Sequence, residues 1–144
     1  MEPRVSIITL GVRDLKRSHQ FYTTLGFESS KSSQESIVFY KTQGVCLALY
    51  PLDDLAKDVS EDYGNETGDR RFSGVTLAHN TRSKHEVDEI IQLAVESGAK
   101  LEKPAQEVFW GGYSGYFSDP DGHLWEIAYA DFWQFNDDGS LVLD

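Results

Sequence analysis

Glu126 is the residue of this chain with the clearest capacity for chemistry. It closes the stretch from Phe109 to Ile127, FWGGYSGYFSDPDGHLWEI, in which a glycine-aromatic loop leads through a tight turn into two short strands. A carboxylate at the end of a strand can ligate a metal. Buried without one, it has its pKa raised by desolvation and can serve as a general acid or base. The plainer alternative is a pocket carboxylate satisfied by Thr9, Thr76 or a tyrosine hydroxyl. Cys46 is the single cysteine, so it forms no internal disulfide, and its place in an apolar strand predicts a buried structural thiol rather than a nucleophile. Phe109, Trp110 and Tyr113, set beside Gly111, Gly112 and Gly115, predict one of two things. They form a mobile aromatic rim that closes over a flat or apolar ligand, or they complete the core under a hairpin loop.

The elements that must position Glu126 follow from local patterns. In Asp119-Pro120-Asp121-Gly122, proline presets φ at the second turn position and glycine takes a conformation other residues resist. Ser36 to Tyr40 and Val45 to Tyr50 read as a hairpin pair, as do Tyr113 to Phe117 and His123 to Tyr129. Val5 to Val12 is rich in β-branched residues. Leu15, Ser18, Phe21, Tyr22 and Leu25 then lie at helical spacing, with Asp14 as N-cap and Gly26 as the stop. Ser83, with Glu86 three residues on, caps a second helix whose apolar stripe is Val87, Ile90, Ile91, Ala94 and Val95, and which ends at Gly98.

These elements occur twice. The offset is 67 between Leu10 and Leu77 (77 − 10), 72 between Gly26 and Gly98 (98 − 26), and 78 between Gly44 and Gly122 (122 − 44). It grows only by loop-sized steps, so each half reads as a strand, a helix and three strands. The expected class is α+β. At 144 residues and 40% hydrophobic, the chain can bury a real core as one domain. Its repeat modules span about 4–50 and 72–130, joined by an acidic connector over 53–71 with one short helix around Leu55 to Val59, and followed by a tail over 131–144. A formal net charge of −11 argues against nucleic acid or anionic lipid as partners. No apolar run spans a bilayer and no leader is seen, so the expected location is cytoplasmic.

VRDLKRSHQFYTTLGF after a first strand, the doubled layout and YFSDPDGHLWEI near the end together resemble the vicinal oxygen chelate superfamily, which includes glyoxalase I, bleomycin-resistance proteins, fosfomycin-resistance enzymes and extradiol dioxygenases. The resemblance covers about Arg4 to Asp131. It implies two βαβββ modules forming a curved mixed sheet around a cleft, where the enzymes hold a divalent metal that chelates two neighbouring substrate oxygens. It also implies a homodimer. The ligands in metal-dependent members come from the first and last strands of each module. Laid onto this sequence, those positions are Ile7, Ala48, Gly74 and Glu126, of which only Glu126 carries a donor. No cofactor is therefore expected, and a divalent metal is disfavoured.

Strand alternation then assigns the cleft walls to Ile7, Thr9, Val38, Ala48, Thr76, Asn80, Tyr116, Leu124 and Glu126, with Trp110 and Tyr113 on the rim. It turns His79 and His123 to the opposite face and leaves His19 and His85 on helices, in solvent. Three functions fit this set. The first is a metal-free binder of a small organic molecule, like the bleomycin-resistance branch. The second is a lactoylglutathione-lyase-like or dioxygenase-like enzyme using Glu126 as acid-base group or metal ligand. The third is a dimeric interaction protein whose tail, Phe132-Trp133-Gln134-Phe135 onward, pairs with a partner or folds back on its own chain.

Overall fold

The computed structural model describes residues 6–59, 73 and 75–142 of the chain. It is α+β and separates into two compact units, residues 1–73 and 74–144. Among the described residues, no helix is long and apolar enough to cross a membrane.

In the first unit, β1 (Ile7–Val12) leads into α1 (Leu15–Thr24), followed by β2 (Val38–Tyr40), β3 (Cys46–Pro51) and α2 (Leu52–Val59). The sheet order is β1-β3-β2, with β1 parallel and β2 antiparallel to β3. Asp14 caps α1 as expected, its Oδ1 accepting the Arg17 N–H at 2.9 Å. The buried Ser18, Phe21 and Tyr22 of α1 lie three and four residues apart, which puts them on one helical face. Tyr22, Phe27 and Tyr40 meet with ring centroids 5.4 to 5.8 Å apart, tying that face to the sheet. The short helix expected near Leu55 begins at Leu52, directly after β3. The connector from 60 to 72 lies outside the described residues, as does Val5.

The expected second strand of this module shrinks to two isolated bridges, Ser29 to Tyr40 and Gln34 to Ile37. The reason is local chemistry. Glu28 to Ser36 is almost wholly polar, with no alternating apolar face to bury, and Ser33 spends its hydroxyl on the backbone of Phe39 at 3.0 and 3.2 Å.

The second unit runs β4 (Leu77–Asn80), α3 (Lys84–Glu96), β5 (Lys100–Glu107), β6 (Tyr113–Ser118) and β7 (Leu124–Tyr129), in sheet order β4-β7-β6-β5. Its first strand pairs parallel with its last, and the strands before the last follow antiparallel, repeating the first unit. Ser83 caps α3 by accepting the Glu86 N–H at 3.2 Å. Glu86 answers by accepting the Arg82 N–H at 2.7 Å, so the box closes one residue earlier than its usual form. Val87, Ile91 and Ala94 are buried against the sheet, at about 1.5–3 kcal/mol for each large side chain. Val95, expected in the stripe, is exposed.

The DPDG turn forms as its residues dictate. Asp119 Oδ1 accepts the N–H groups of Asp121 at 2.9 Å and His123 at 2.8 Å, and Gly122 takes φ of 92°. Both aspartates are buried. Pro104 lies within the edge strand β5 and offers no N–H to the ladder, and the register against β6 shifts on both sides of Lys103.

Candidate functional site

Helix α3 packs against β5, β6 and β7 and so defines one face of the second sheet. The Tyr113 hydroxyl donates to Asp88 of α3 at 2.9 Å, and a Cβ on Gly115 would stand 2.7 Å from Ile91 Cδ1. Tyr113, Gly115 and Phe117 therefore face α3. Alternation turns Ser114, Tyr116 and Ser118 to the other face, together with their partners on β7, Ala128, Glu126 and Leu124. Ala78 joins Glu126 from β4, and Lys103 joins Tyr116 from β5. One row, Ala78, Glu126, Tyr116 and Lys103, thus crosses all four strands on the face away from α3.

Glu126, Tyr116 and Lys103 are half-buried, flanked by half-buried Asn80 and Leu124. The Tyr116 phenol is pushed above its ordinary pKa by desolvation, then by its hydrogen bond to the Glu126 carboxylate and by that group's charge. Tyr116 therefore stays protonated at neutral pH beside its cross-strand partner Glu126. At one end of the face, Ser118 donates to Glu102 at 2.7 Å and Lys100 pairs with Glu102 at 3.0 Å. These contacts hold the Glu102 carboxyl below its usual range, the serine bond foremost.

Two expected ligand-binding residues stand elsewhere. Tyr113 faces α3, its phenol raised in pKa chiefly by the Asp88 bond, so it cannot share a ligand with Tyr116 on the opposite face. Val38 is opposite Leu49 rather than Ala48, and is buried on the side of Tyr40 and α1. Phe39 takes the place expected of it, opposite Ala48. The expectation erred by one residue in the β2 register, because Ile37, Val38, Phe39 and Tyr40 are all apolar or aromatic and leave the alternation ambiguous. Lys103 had no signal at all, since its alignment depends on the β5 irregularities.

Thr9 and Ile7 lie on the face of the first sheet away from α1, both exposed, and Thr9 is opposite the buried Ala48. An open depression of about 450 Å³ lies near that face, lined by Ser6, Ser30, Phe39, Lys41 and Cys46 among others. Cys46 is half-buried rather than buried, with Sγ 3.6 Å from the carbonyl oxygens of Tyr40 and Leu47. Trp110 stacks on Trp133 at 5.6 Å and meets Phe132 edge-on at 6.5 Å, so the loop aromatics join the tail of the same unit. Phe109 and Phe132 stay exposed, and Phe135 lies under Arg82 at 4.5 Å.

Alternation along β4 turns His79 to the face opposite Ala78, where the residue is exposed. Neighbouring atoms desolvate its ring and lower its pKa even though the residue keeps solvent contact, and the Glu86 carboxylate opposes that shift. His85 stays in solvent beside Glu89 at 3.2 Å. His19 does not: its Nδ1 lies 2.9 Å from the Tyr40 hydroxyl. Burial pushes the Tyr40 phenol well above its ordinary value.

The internal repeat can also be aligned by geometry. The N-caps Asp14 and Ser83 are 69 positions apart (83 − 14), and so are Thr9 and Ala78 (78 − 9), the partners of Ala48 and Glu126. By that offset, the counterpart of Ile7 is Thr76. Gly74, the position expected from sequence, lies outside the described residues. The first unit thus brings Ile7 and Ala48 without donors, and the second brings Thr76, exposed ahead of β4, and Glu126. Among the described residues, no three histidine, cysteine or carboxylate side chains cluster as a metal site would need.

The sequence profile of the Glyoxalase/Bleomycin resistance protein/Dioxygenase superfamily matches residues 4–127. A glyoxalase-related enzyme from Fulvimarina pelagi is similar over 98% of both chains, with 35% identity and a TM-score of 0.85. A glyoxalase/bleomycin resistance protein/dioxygenase family enzyme from Burkholderia phytofirmans PsJN has 21% identity and a TM-score of 0.77, over 88% of this chain and 98% of its own. Lactoylglutathione lyase from Agrobacterium tumefaciens has 23% identity and a TM-score of 0.62, over 92% and 98%. No curated protein matches. A matched profile over most of the chain, a shared fold and the repeated strand order place it: the chain belongs to the glyoxalase/bleomycin resistance protein/dioxygenase superfamily.

Proposed function

We propose that the protein binds a small organic molecule on the face of its second sheet away from α3, through Glu126 and Tyr116, without a catalytic divalent metal. The observation that carries this reading is the cross-strand pairing of Glu126 with Tyr116, both half-buried, on a face that they share with Ala78, Asn80, Leu124 and Ser118. Small and apolar side chains interleaved with a few convergent polar groups can hold and orient a small molecule. The donor set does not fit a metal cage. Catalytic zinc sites keep about three protein ligands, whereas the family positions supply one carboxylate and one hydroxyl here. The Glu126 carboxylate, beside Tyr116 in the row, offers lone pairs that can accept from a ligand.

A fragment screen by NMR on isotope-labelled protein in excess chelator tests the reading. Fragments that shift the amides of β6 and β7, and lose that effect in Glu126→Gln, support it. Fragments that bind only after a divalent ion is restored refute it.

The enzymatic reading has its own support in the 35% identity to a glyoxalase-related enzyme. In it, Glu126 acts as acid-base group or as a metal ligand. Metal-stimulated turnover of a hemithioacetal or catechol, abolished in Glu126→Gln, would select it over binding alone. The tail's stacking on Trp110 leaves less aromatic surface for an outside partner than the sequence suggests, which counts against an interaction protein. A homodimer remains part of the proposal, drawn from the family and from exposed Phe109 and Phe132. The net charge of −11 supports the absence of nucleic-acid and anionic-membrane partners, and a cytoplasmic location belongs to the same reading.

A further inference from the structure

We infer that Lys103 is a second polar anchor on this face, and that the ligand carries an anionic group at one end, a hydrogen-bond donor or cation at the other, and an apolar or aromatic middle. The inference rests on the proposed role of Glu126 and adds the chemical class of the ligand.

Register supplies the geometry. Lys103 is the cross-strand partner of Tyr116, which is the partner of Glu126, so the three lie in one row with the phenol between the charges. Adjacent strands are about 4.8 Å apart, which separates the Glu126 and Lys103 backbones by about 10 Å. That span suits a molecule the size of one ring with a polar substituent at each end. Tyr116 stands between them in the row, so its aromatic side chain can contact the middle of such a molecule.

Lys103 also stands apart from the other cations of its unit. Lys84 pairs with Glu107, Lys100 with Glu102, and Arg82 lies over Phe135. Among the described residues, the Lys103 side chain has no hydrogen-bond or ion-pair partner, although the chain holds 24 acidic residues against 13 lysines and arginines. Lys103 is half-buried as a residue, so its position on the face is held by packing of its stem while its charge stays available to a ligand. Lys103 further sits between the two register shifts of β5. Irregularities of this kind re-aim side chains and concentrate beside functional sites.

Three probes separate the possibilities in NMR shift titrations at constant ionic strength: 4-(aminomethyl)benzoate, which carries both charges, benzylamine and benzoate. The two-charge probe should bind more tightly than either of the others. Lys103→Gln should weaken it about fivefold, as expected for one charge-assisted contact on a half-exposed face, while benzylamine is unaffected. Lys103→Arg should restore most of the loss. Glu126→Gln should weaken benzylamine and leave benzoate unchanged. If benzylamine binds through Glu126 and the two-charge probe gains nothing from Lys103, this inference fails while the small-molecule reading stands. If no probe shows dependence on either residue, both fail.

Discussion

Gly115→Ala perturbs the packing that aligns the site row. Its new methyl would lie 2.7 Å from Ile91 Cδ1, 2.8 Å from the Ala105 nitrogen and 2.9 Å from the Lys103 carbonyl oxygen. The isoleucine methyl can turn away. The other two contacts are backbone atoms of β5, so the strand itself must shift. Overpacking of this kind costs about 1–3 kcal/mol. Against it stands a gain of about 0.4–1 kcal/mol, because alanine restricts the unfolded chain more than glycine does. The balance is a loss of about 1–2 kcal/mol, or a Tm lower by about 3–6 °C at this chain length. Heat and urea unfolding followed by circular dichroism measure it. Because β5 carries Lys103, amide shifts in the variant should concentrate at Lys103, Tyr116 and Glu126. A variant as stable as the parent, with those amides unmoved, would refute the packing argument and with it the tight β5–β6 register.

Other outcomes follow from the same contacts. Gly112→Ala meets the far end of the Trp110 side chain at 1.7 Å rather than backbone. The indole should swing off Trp133, changing tryptophan fluorescence and near-ultraviolet circular dichroism, with a smaller stability loss than Gly115→Ala; unchanged spectra would contradict the stacking. The Tyr40 phenol has a raised pKa when folded, so its contribution to stability is complete below the unfolded value of about 10 and is lost as pH rises beyond it. Denaturation midpoints from pH 8 to 11 should fall at the alkaline end, and Tyr40→Phe should flatten that fall. His79 shifts the other way. Its folded pKa lies below about 6.5, so its contribution is present above that value and is lost as pH falls, and His79→Gln should blunt the acid loss of stability between about pH 7 and 5.

Where chemistry and spacing acted together, the sequence carried the answer. Asp14 and Ser83 announced helix starts because short polar side chains accept N–H bonds there, and DPDG announced its turn for a similar reason. Glu126 and Tyr116 were placed on one face because β6 and β7 flank that turn, which leaves little freedom of register. Registers farther from a tight turn were harder to read. Val38 and Phe39 are both apolar, so nothing in their types chose between them. The polar run from Glu28 to Ser36 could not sustain a strand. Lys103 was hidden because its alignment depends on how β5 bends around Pro104, and His19 because its partner Tyr40 is 21 residues away. The repeat's true offset likewise emerged from the two N-caps and the strand pairing, which move the counterpart of Ile7 from Gly74 to Thr76.

The most direct test is the metal content of protein purified without chelators and dialysed against zinc, nickel, manganese and iron(II), set beside Glu126→Gln prepared in parallel. A face without three clustered donor side chains should retain far less than one ion per chain and show no difference between the two proteins. One ion per chain, lost when Glu126 is replaced, would contradict it.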